Sequence, residues 1–383
     1  MKLIYTIIIG LFLISSNSFS QWAILQSDAD SLVREGANHI YNVEFDKAEV
    51  SFQEVIKRYP EHPAGYFLQA MVDFWRLTLY RYTDKINDDF LQKIDKVIQV
   101  SDKLLDENEY DITGLFFKGG ALGYRARFYT NEKEWFSAAT DGKEAYEILM
   151  KAHEKAPGNH DIMLGTGLFN YFSVAIPEDY PILKPVVLFF PPGNKKLGLL
   201  QLRASMHHSR YSSVEAEVAL MQVYYSFEKD FDQAFFYAND LFTRFPRNPY
   251  FHRFLGRCYV KQGKWEEIEA TWRDVVKKCL ARELGYDNLT AREGLYYVGL
   301  SLQRKGDQQM AIKYLKKCLD VSEYVDGDKE SGYYSSSLLK LGISYKKLND
   351  KKNSLYYFKK VLEVDDNQNN HATAKRYIAD YNK

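Results

Sequence analysis

Basic and aromatic side chains recur through the second half of the chain, and their chemistry is that of ligand binding. Arginine and lysine hold carboxylates through charge-assisted hydrogen bonds, and tyrosine adds a flat ring with a hydroxyl group. The candidate residues for a lane that binds an acidic or carboxylate-ending peptide are Arg253, Arg257, Lys261, Tyr296, Tyr297, Arg304, Lys340 and Lys347. A simpler interpretation also exists, because Lys and Arg near the C-terminus of a helix stabilise the helix dipole.

Catalytic and cofactor-binding motifs are missing from the sequence. Residues 118–123 and 165–167 are glycine-rich, but neither segment follows a predicted strand or ends in the Gly-Lys-Ser/Thr of a phosphate loop. His207 and His208 are adjacent, so their side chains diverge on a helix and cannot form the i, i+4 pair that holds a metal. We therefore predict a protein that is not an enzyme and has no cofactor and no metal.

The element that must position the candidate side chains is a helical hairpin, which a recurring spacing predicts. A small residue is followed twelve residues later by a second small residue, and four residues beyond that by an apolar one. Complete examples begin at Gly36, Gly299 and Gly342, and weaker ones begin at Gln222 and Gly256. Small residues let two antiparallel helices approach closely, and the apolar residue fills the remaining gap.

The same segments carry a repeat signature. The first-helix strings are Leu255-Gly256-x-x-Tyr259, Val298-Gly299-x-x-Leu302 and Leu341-Gly342-x-x-Tyr345. Pro60 and Pro246 each follow the middle small residue by twelve positions and close their repeats. This pattern resembles the tetratricopeptide repeat. The resemblance implies an all-α solenoid of stacked hairpins, which offers a long binding surface and usually no catalytic pocket.

The repeat pattern changes along the chain. It is regular over residues 29–62 and 213–370 and enlarged over residues 63–210, where the second helices arrive late. We predict about eight hairpins within residues 21–383, with enlarged middle repeats, and a helix in residues 371–383 that caps the array. An insertion at residues 176–193 holds five of the ten prolines and should interrupt the helices.

An apolar run lies within this proline-rich insertion and consists of Val186, Val187, Leu188, Phe189 and Phe190. Such a run must be buried somewhere. In one interpretation it packs across neighbouring hairpins and fills a groove. In the other it forms a lip that contacts a partner or a membrane surface.

The first twenty residues have the composition of a signal peptide. A positive start at Lys2 precedes the apolar run 3–14, and Ser18 and Ser20 occupy the small-x-small positions of a cleavage site. We expect cleavage after Ser20 and export to the periplasm or outer membrane, with no transmembrane segment afterwards. The end of this twenty-residue segment resembles signal peptides of Bacteroidota. No cysteine lies near the site, so we do not expect a lipoprotein.

The predicted function is that of a non-catalytic periplasmic scaffold for a protein or peptide partner. Lys plus Arg equals Asp plus Glu at 51 each, so no net field recruits nucleic acid. The alternative is a glycan-binding accessory protein of an outer-membrane uptake system. In that case aromatic rings of the enlarged repeats, such as Phe74, Trp75 and Tyr171, would stack on sugars instead of packing between helices.

Overall fold

The computed structural model describes residues 27–80, 84–181, 184, 190–327 and 331–381, and no strand occurs in these residues. The seventeen helices of this described part are α1 (Ser27–Tyr41), α2 (Phe45–Arg58), α3 (Ala64–Tyr80), α4 (Asp84–Glu107), α5 (Ile112–Asn131), α6 (Trp135–Lys155), α7 (Ile162–Asp179), α8 (Lys195–His208), α9 (Ser213–Ser226), α10 (Phe231–Arg244), α11 (Pro249–Gln262), α12 (Trp265–Leu280), α13 (Asn288–Lys305), α14 (Gln308–Asp326), α15 (Gly332–Lys347), α16 (Lys351–Val361) and α17 (Asn370–Asp380). In chain order they count as eight pairs and a last helix, and the longest helices belong to the middle pairs. The predicted all-α fold is confirmed.

We call the first helix of each pair its A-helix and the second its B-helix. The chain divides into two compact units, unit 1 (Met1–Lys229) with α1–α9 and unit 2 (Asp230–Lys383) with α10–α17. Within each unit every helix packs on the next one along the chain. A-helices also pack on the A-helix of the following pair, as α1 does on α3 and α13 does on α15. Each unit is therefore a stack of hairpins.

Local sequence sets where the helices begin and end. Asn248 caps α11 by accepting from the backbone N–H groups of the next residues, and Pro249 stands at the first helical position, where no N–H is needed. Asp307 and Asp350 cap α14 and α16 in the same way. Gly306 ends α13 with φ of 93°, a conformation that glycine adopts without a steric penalty.

Close approach between A- and B-helices explains the spacing seen in the sequence. A β-carbon at Gly342 would lie 2.6 Å from Cδ1 and Cε1 of Phe358, and one at Gly256 would lie 2.7 Å from Cε2 of Trp272. Phe358 and Trp272 are fully buried. The glycine and the large side chain sixteen residues later are thus two halves of one contact, as the spacing predicted.

The proline-rich insertion begins later than the sequence indicates. Helix α7 continues through Pro177 and ends at Asp179, three residues beyond the predicted start of the insertion at residue 176. Pro177 lies in the last turn, where its missing N–H removes one backbone hydrogen bond and no further turn depends on it. None of the helices in the described ranges is long and apolar enough to cross a bilayer.

Candidate functional site

Helix α9 occupies the face that the A-helices of unit 1 share. It packs on α7 and α8, and side chains of α1, α3 and α5 hydrogen-bond to it. The six consecutive residues Ala216–Met221 are all buried, so every side of this helix is covered. A helix that is buried all round is part of a core. The A-helix face of unit 1 is therefore filled by its own chain.

Glu215 is the polar centre of this arrangement. Its Oε1 accepts hydrogen bonds from Nε1 of Trp75 at 2.8 Å and from the hydroxyl of Tyr41 at 3.2 Å. Burial, and then the negative charge of Glu215, raise the pKa of Tyr124 well above its usual value, so Tyr124 remains a neutral donor to the same carboxylate. Donors from three A-helices thus satisfy one carboxylate on α9.

Two further carboxylates hold the segment that leads into α9. Asp30 accepts from Nε of Arg210 at 2.7 Å and from the hydroxyl of Tyr211 at 2.6 Å. The hydrogen bond from Arg210, supported by that from Tyr211, lowers the pKa of Asp30 to about 2 in spite of its burial. Asp161 accepts the backbone N–H groups of residues 210, 211 and 212 at 3.2, 2.9 and 2.8 Å. The start of α9 is therefore attached to α1 and to the beginning of α7.

The aromatic residues of the enlarged repeats lie inside unit 1. Phe74 and Trp75 are each 2% exposed, and Tyr171 is fully buried. Phe74 packs against Tyr124 with ring centroids 4.9 Å apart, and the guanidinium of Arg127 lies 5.0 Å from the centre of the Phe74 ring. These rings pack between helices and offer no flat surface to a sugar.

In unit 2, Arg253 and Arg257 lie on α11 and contact the neighbouring A-helix α13. Arg253 is buried, and its Nη1 lies 3.4 Å from Oγ1 of Thr290. Arg257 forms two parallel bonds to the buried carboxylate of Glu293, at 2.6 and 2.8 Å. The charge-assisted hydrogen bonds that were predicted for a ligand carboxylate are thus made to a carboxylate of the same unit.

Tyr296, Tyr297 and Lys340 also lie between hairpins. Tyr297 stacks on Trp272 with centroids 5.2 Å apart, and Tyr296 meets Tyr333 edge to face at 5.5 Å. Lys340 is half-buried, and burial together with the charge of Lys347 lowers its pKa. These three candidates contribute to packing between α12, α13 and α15.

The remaining candidates, Lys261, Arg304 and Lys347, are exposed at the C-terminal ends of α11, α13 and α15. They follow one another at intervals of 43 residues. The structure therefore separates the predicted lane into a group that packs between helices and a group that faces solvent. A peptide-binding role for either group remains a prediction.

The predicted apolar lip is described only at its end. Residues 186–189 lie outside the described residues. Phe190 is half-buried, and its ring centroid lies 6.1 Å from that of Phe169 on α7. This contact is within unit 1.

Burial moves the pKa values of the three thiols and of one imidazole away from neutral pH. Burial raises the pKa of Cys258 and Cys279 to about 12 and that of Cys318 to about 11, and all three thiols are free. Burial lowers the pKa of His252 to about 4, and its Nδ1 lies 3.0 Å from the Tyr286 hydroxyl. Across the described ranges, no three His, Cys, Asp or Glu side chains are grouped as a metal site would require.

The sequence did not predict the roles of Glu215, Asp30 and Asp161. One signal for them was available, because residues 213–226 place apolar side chains on all faces of a helix instead of in one stripe. This pattern predicts that the helix lies in a core. The carboxylates that hold it carry no signal of their own, since their partners lie far away in the sequence.

Comparison with known sequence families matches two segments of unit 2. Two tetratricopeptide-repeat family models match residues 294–324 and 336–367. No curated protein sequence matches the chain significantly. Similar solved structures include PilF of Pseudomonas aeruginosa, 15% identical over 63% of this chain and 90% of that one, with a TM-score of 0.41. The C-terminal part of a tetratricopeptide-repeat protein of Cytophaga hutchinsonii is 14% identical over 74% of this chain and 96% of that one, with a TM-score of 0.47.

Stacked antiparallel helix pairs, with tiny residues where the helices approach most closely, define an α-solenoid. The two hairpins α13–α14 and α15–α16 contain the segments that match the family models. The chain therefore carries tetratricopeptide repeats at residues 294–324 and 336–367.

Proposed function

We propose that the chain is a non-catalytic scaffold that binds a protein or peptide partner on the A-helices of unit 2. The A-helix face of unit 1 is filled by α9, which leaves it no groove of this kind. The observation that carries the proposal is the exposure of Lys261, Arg304 and Lys347 at equal intervals in unit 2. Side chains repeated in this way offer a partner the same contact in each hairpin.

Apolar side chains accompany these cations. Leu300 and Ile343 are half-buried, and each follows directly after the glycine that faces its B-helix. Together with Arg304 and Lys347 they give α13 and α15 a strip of mixed apolar and cationic character. Such a strip suits a protein partner, because apolar contacts supply affinity while charges select the partner and its register.

The test is photo-crosslinking in cells with the full chain. A crosslinking amino acid is placed singly at Leu300 and Ile343, and at the exposed positions Lys317 and Lys359 on B-helices α14 and α16 as matched controls. We expect a defined protein adduct at the two A-helix positions only. Adducts of equal yield at all four positions, or none at Leu300 and Ile343, would contradict the proposal. Retention on polysaccharide columns without any protein adduct would favour the glycan-binding alternative.

We also propose that the chain is exported to the periplasm or the outer membrane and is not a lipoprotein. The support is the composition of residues 1–20, which lie outside the described residues. Cell fractionation and intact mass measurement check this. We expect a periplasmic or outer-membrane chain that starts at Gln21, and an unprocessed chain in the cytoplasm would contradict export.

A further inference from the structure

Unit 2 has an edge that carries exposed cations in successive hairpins. It is made of the C-terminal ends of α11, α13 and α15 and the first residues of α12 and α16, with the turns between them, and we call it the turn edge. Its exposed cations include Lys261, Lys264, Arg304, Lys347 and Lys351, which we call the turn-edge cations. Because the A-helices stack, these side chains follow one another from one hairpin to the next.

Aromatic rings beneath the cations restrict their motion. Nζ of Lys261 lies 5.2 Å from the ring centroid of Phe231, and Cζ of Arg304 lies 4.7 Å from that of Trp265. Phe231 and Trp265 are the first residues of α10 and α12. Each of these two cations therefore lies over the ring that begins the preceding B-helix. A charged side chain that is already held in place loses less conformational freedom when it binds a ligand.

Three carboxylates on this edge have hydrogen-bond or ion-pair partners other than the five turn-edge cations. Asp307 and Asp350 cap helices and accept backbone N–H groups. Glu269 is half-buried between Arg273 and Lys305. The ion pairs of the described part of unit 2 include none of the five turn-edge cations. Glu266 and Glu267, in the first turn of α12, are also exposed carboxylates near this edge.

We propose that the turn edge binds an extended acidic segment of a polypeptide, which crosses successive hairpins and places carboxylates at their turns. The inference rests on the proposed scaffold function and adds the chemistry of its partner. Charge complementarity selects an anion. The balanced charge of the whole chain favours a short acidic segment over a long polyanion or an anionic membrane, because such ligands are drawn by a long-range field that this chain does not have. The rings between the cations add apolar contacts of the kind that peptide side chains make.

Binding of a fluorescein-labelled peptide of ten glutamates to the full chain, followed by anisotropy, tests the inference. In the variant K261E/R304E/K347E we expect at least about tenfold weaker binding, because three local attractions become repulsions. The matched control is K277E/K317E/K359E, which makes the same charge change at exposed positions of α12, α14 and α16 and should bind almost as the wild type does.

Raising the salt concentration should weaken wild-type binding, because the turn-edge cations are exposed. If the first variant does not fold by circular dichroism, K261Q/R304Q/K347Q replaces it, with the same direction of effect expected.

Three results would overturn the inference. The first is that the glutamate peptide does not bind, and the second is that both triple variants bind it equally weakly. The third is that polygalacturonate or anionic vesicles bind while the peptide does not. The crosslinking experiment tests the scaffold function separately from the acidic partner. If the protein adducts at Leu300 and Ile343 persist while the peptide does not bind, the scaffold stands and the acidic partner is wrong. If the peptide binds but no adduct forms, the edge is confirmed and the A-helix face is wrong.

Discussion

Single glycines decide how closely the helices of a hairpin approach. In the last pair, Gly342 on α15 faces the ring of Phe358 on α16, and Ser354 donates a hydrogen bond to the carbonyl of Gly342 at 2.9 Å. The backbones are thus close enough for a side chain of one helix to reach the main chain of the other. Any larger residue at position 342 must displace a fully buried phenylalanine.

Gly342→Leu should therefore destabilise the chain by about 1–3 kcal/mol through overpacking. Thermal unfolding followed by circular dichroism measures this, with Lys347→Leu, an exposed position on the same helix, as the control. An unchanged melting temperature in Gly342→Leu would refute the A-to-B register derived from the spacing.

At the same scale, the arginines show how far residue type alone can mislead. A guanidinium suits a bidentate carboxylate, and Arg257 does hold one, but the carboxylate belongs to Glu293 on the next A-helix. Arg257 thus makes the kind of bond that was predicted for a ligand, but makes it within its own unit. Its partner depends on which helix stacks beside α11.

At the scale of elements, α9 differs from the other first helices. The A-helices of unit 2 end in exposed cations, whereas α9 has a covered surface and carries Glu215 into the interior of unit 1. An acceptor that serves several buried donors is costly to remove, because each buried donor is then left without a partner.

We expect Glu215→Leu to lower the stability of unit 1 by about 1–3 kcal/mol, since Trp75 and Tyr41 lose their acceptor. Glu215→Gln should cost less, because the amide oxygen still accepts. Urea unfolding followed by tryptophan fluorescence measures both changes, and hydrogen exchange should be faster in α9. Glu132→Leu, at an exposed position of the same unit, is the control. If Glu132→Leu and Glu215→Leu have equal effects, α9 is not held in this way.

At the scale of the molecule, the same kind of hairpin serves a different purpose in each of the two units. In unit 1 the shared A-helix face encloses a helix, and the long middle helices surround an interior rich in aromatic rings. In unit 2 the hairpins are shorter than the pairs α3–α4 and α5–α6 of unit 1, and their turns carry exposed cations. The first arrangement is typical of a core, while the second leaves side chains available for a partner.

The sequence by itself determined the helices, their pairing and the close contacts within each pair. These depend on residues that are neighbours along the chain, such as Gly342 and Phe358, which are sixteen positions apart. Only the tertiary structure decided which polar side chains face solvent. Tyr41 reaches Glu215 across 174 residues and Arg257 reaches Glu293 across 36. No local spacing records such distances, because the stacking of whole hairpins, and not the composition of any one of them, brings these groups together.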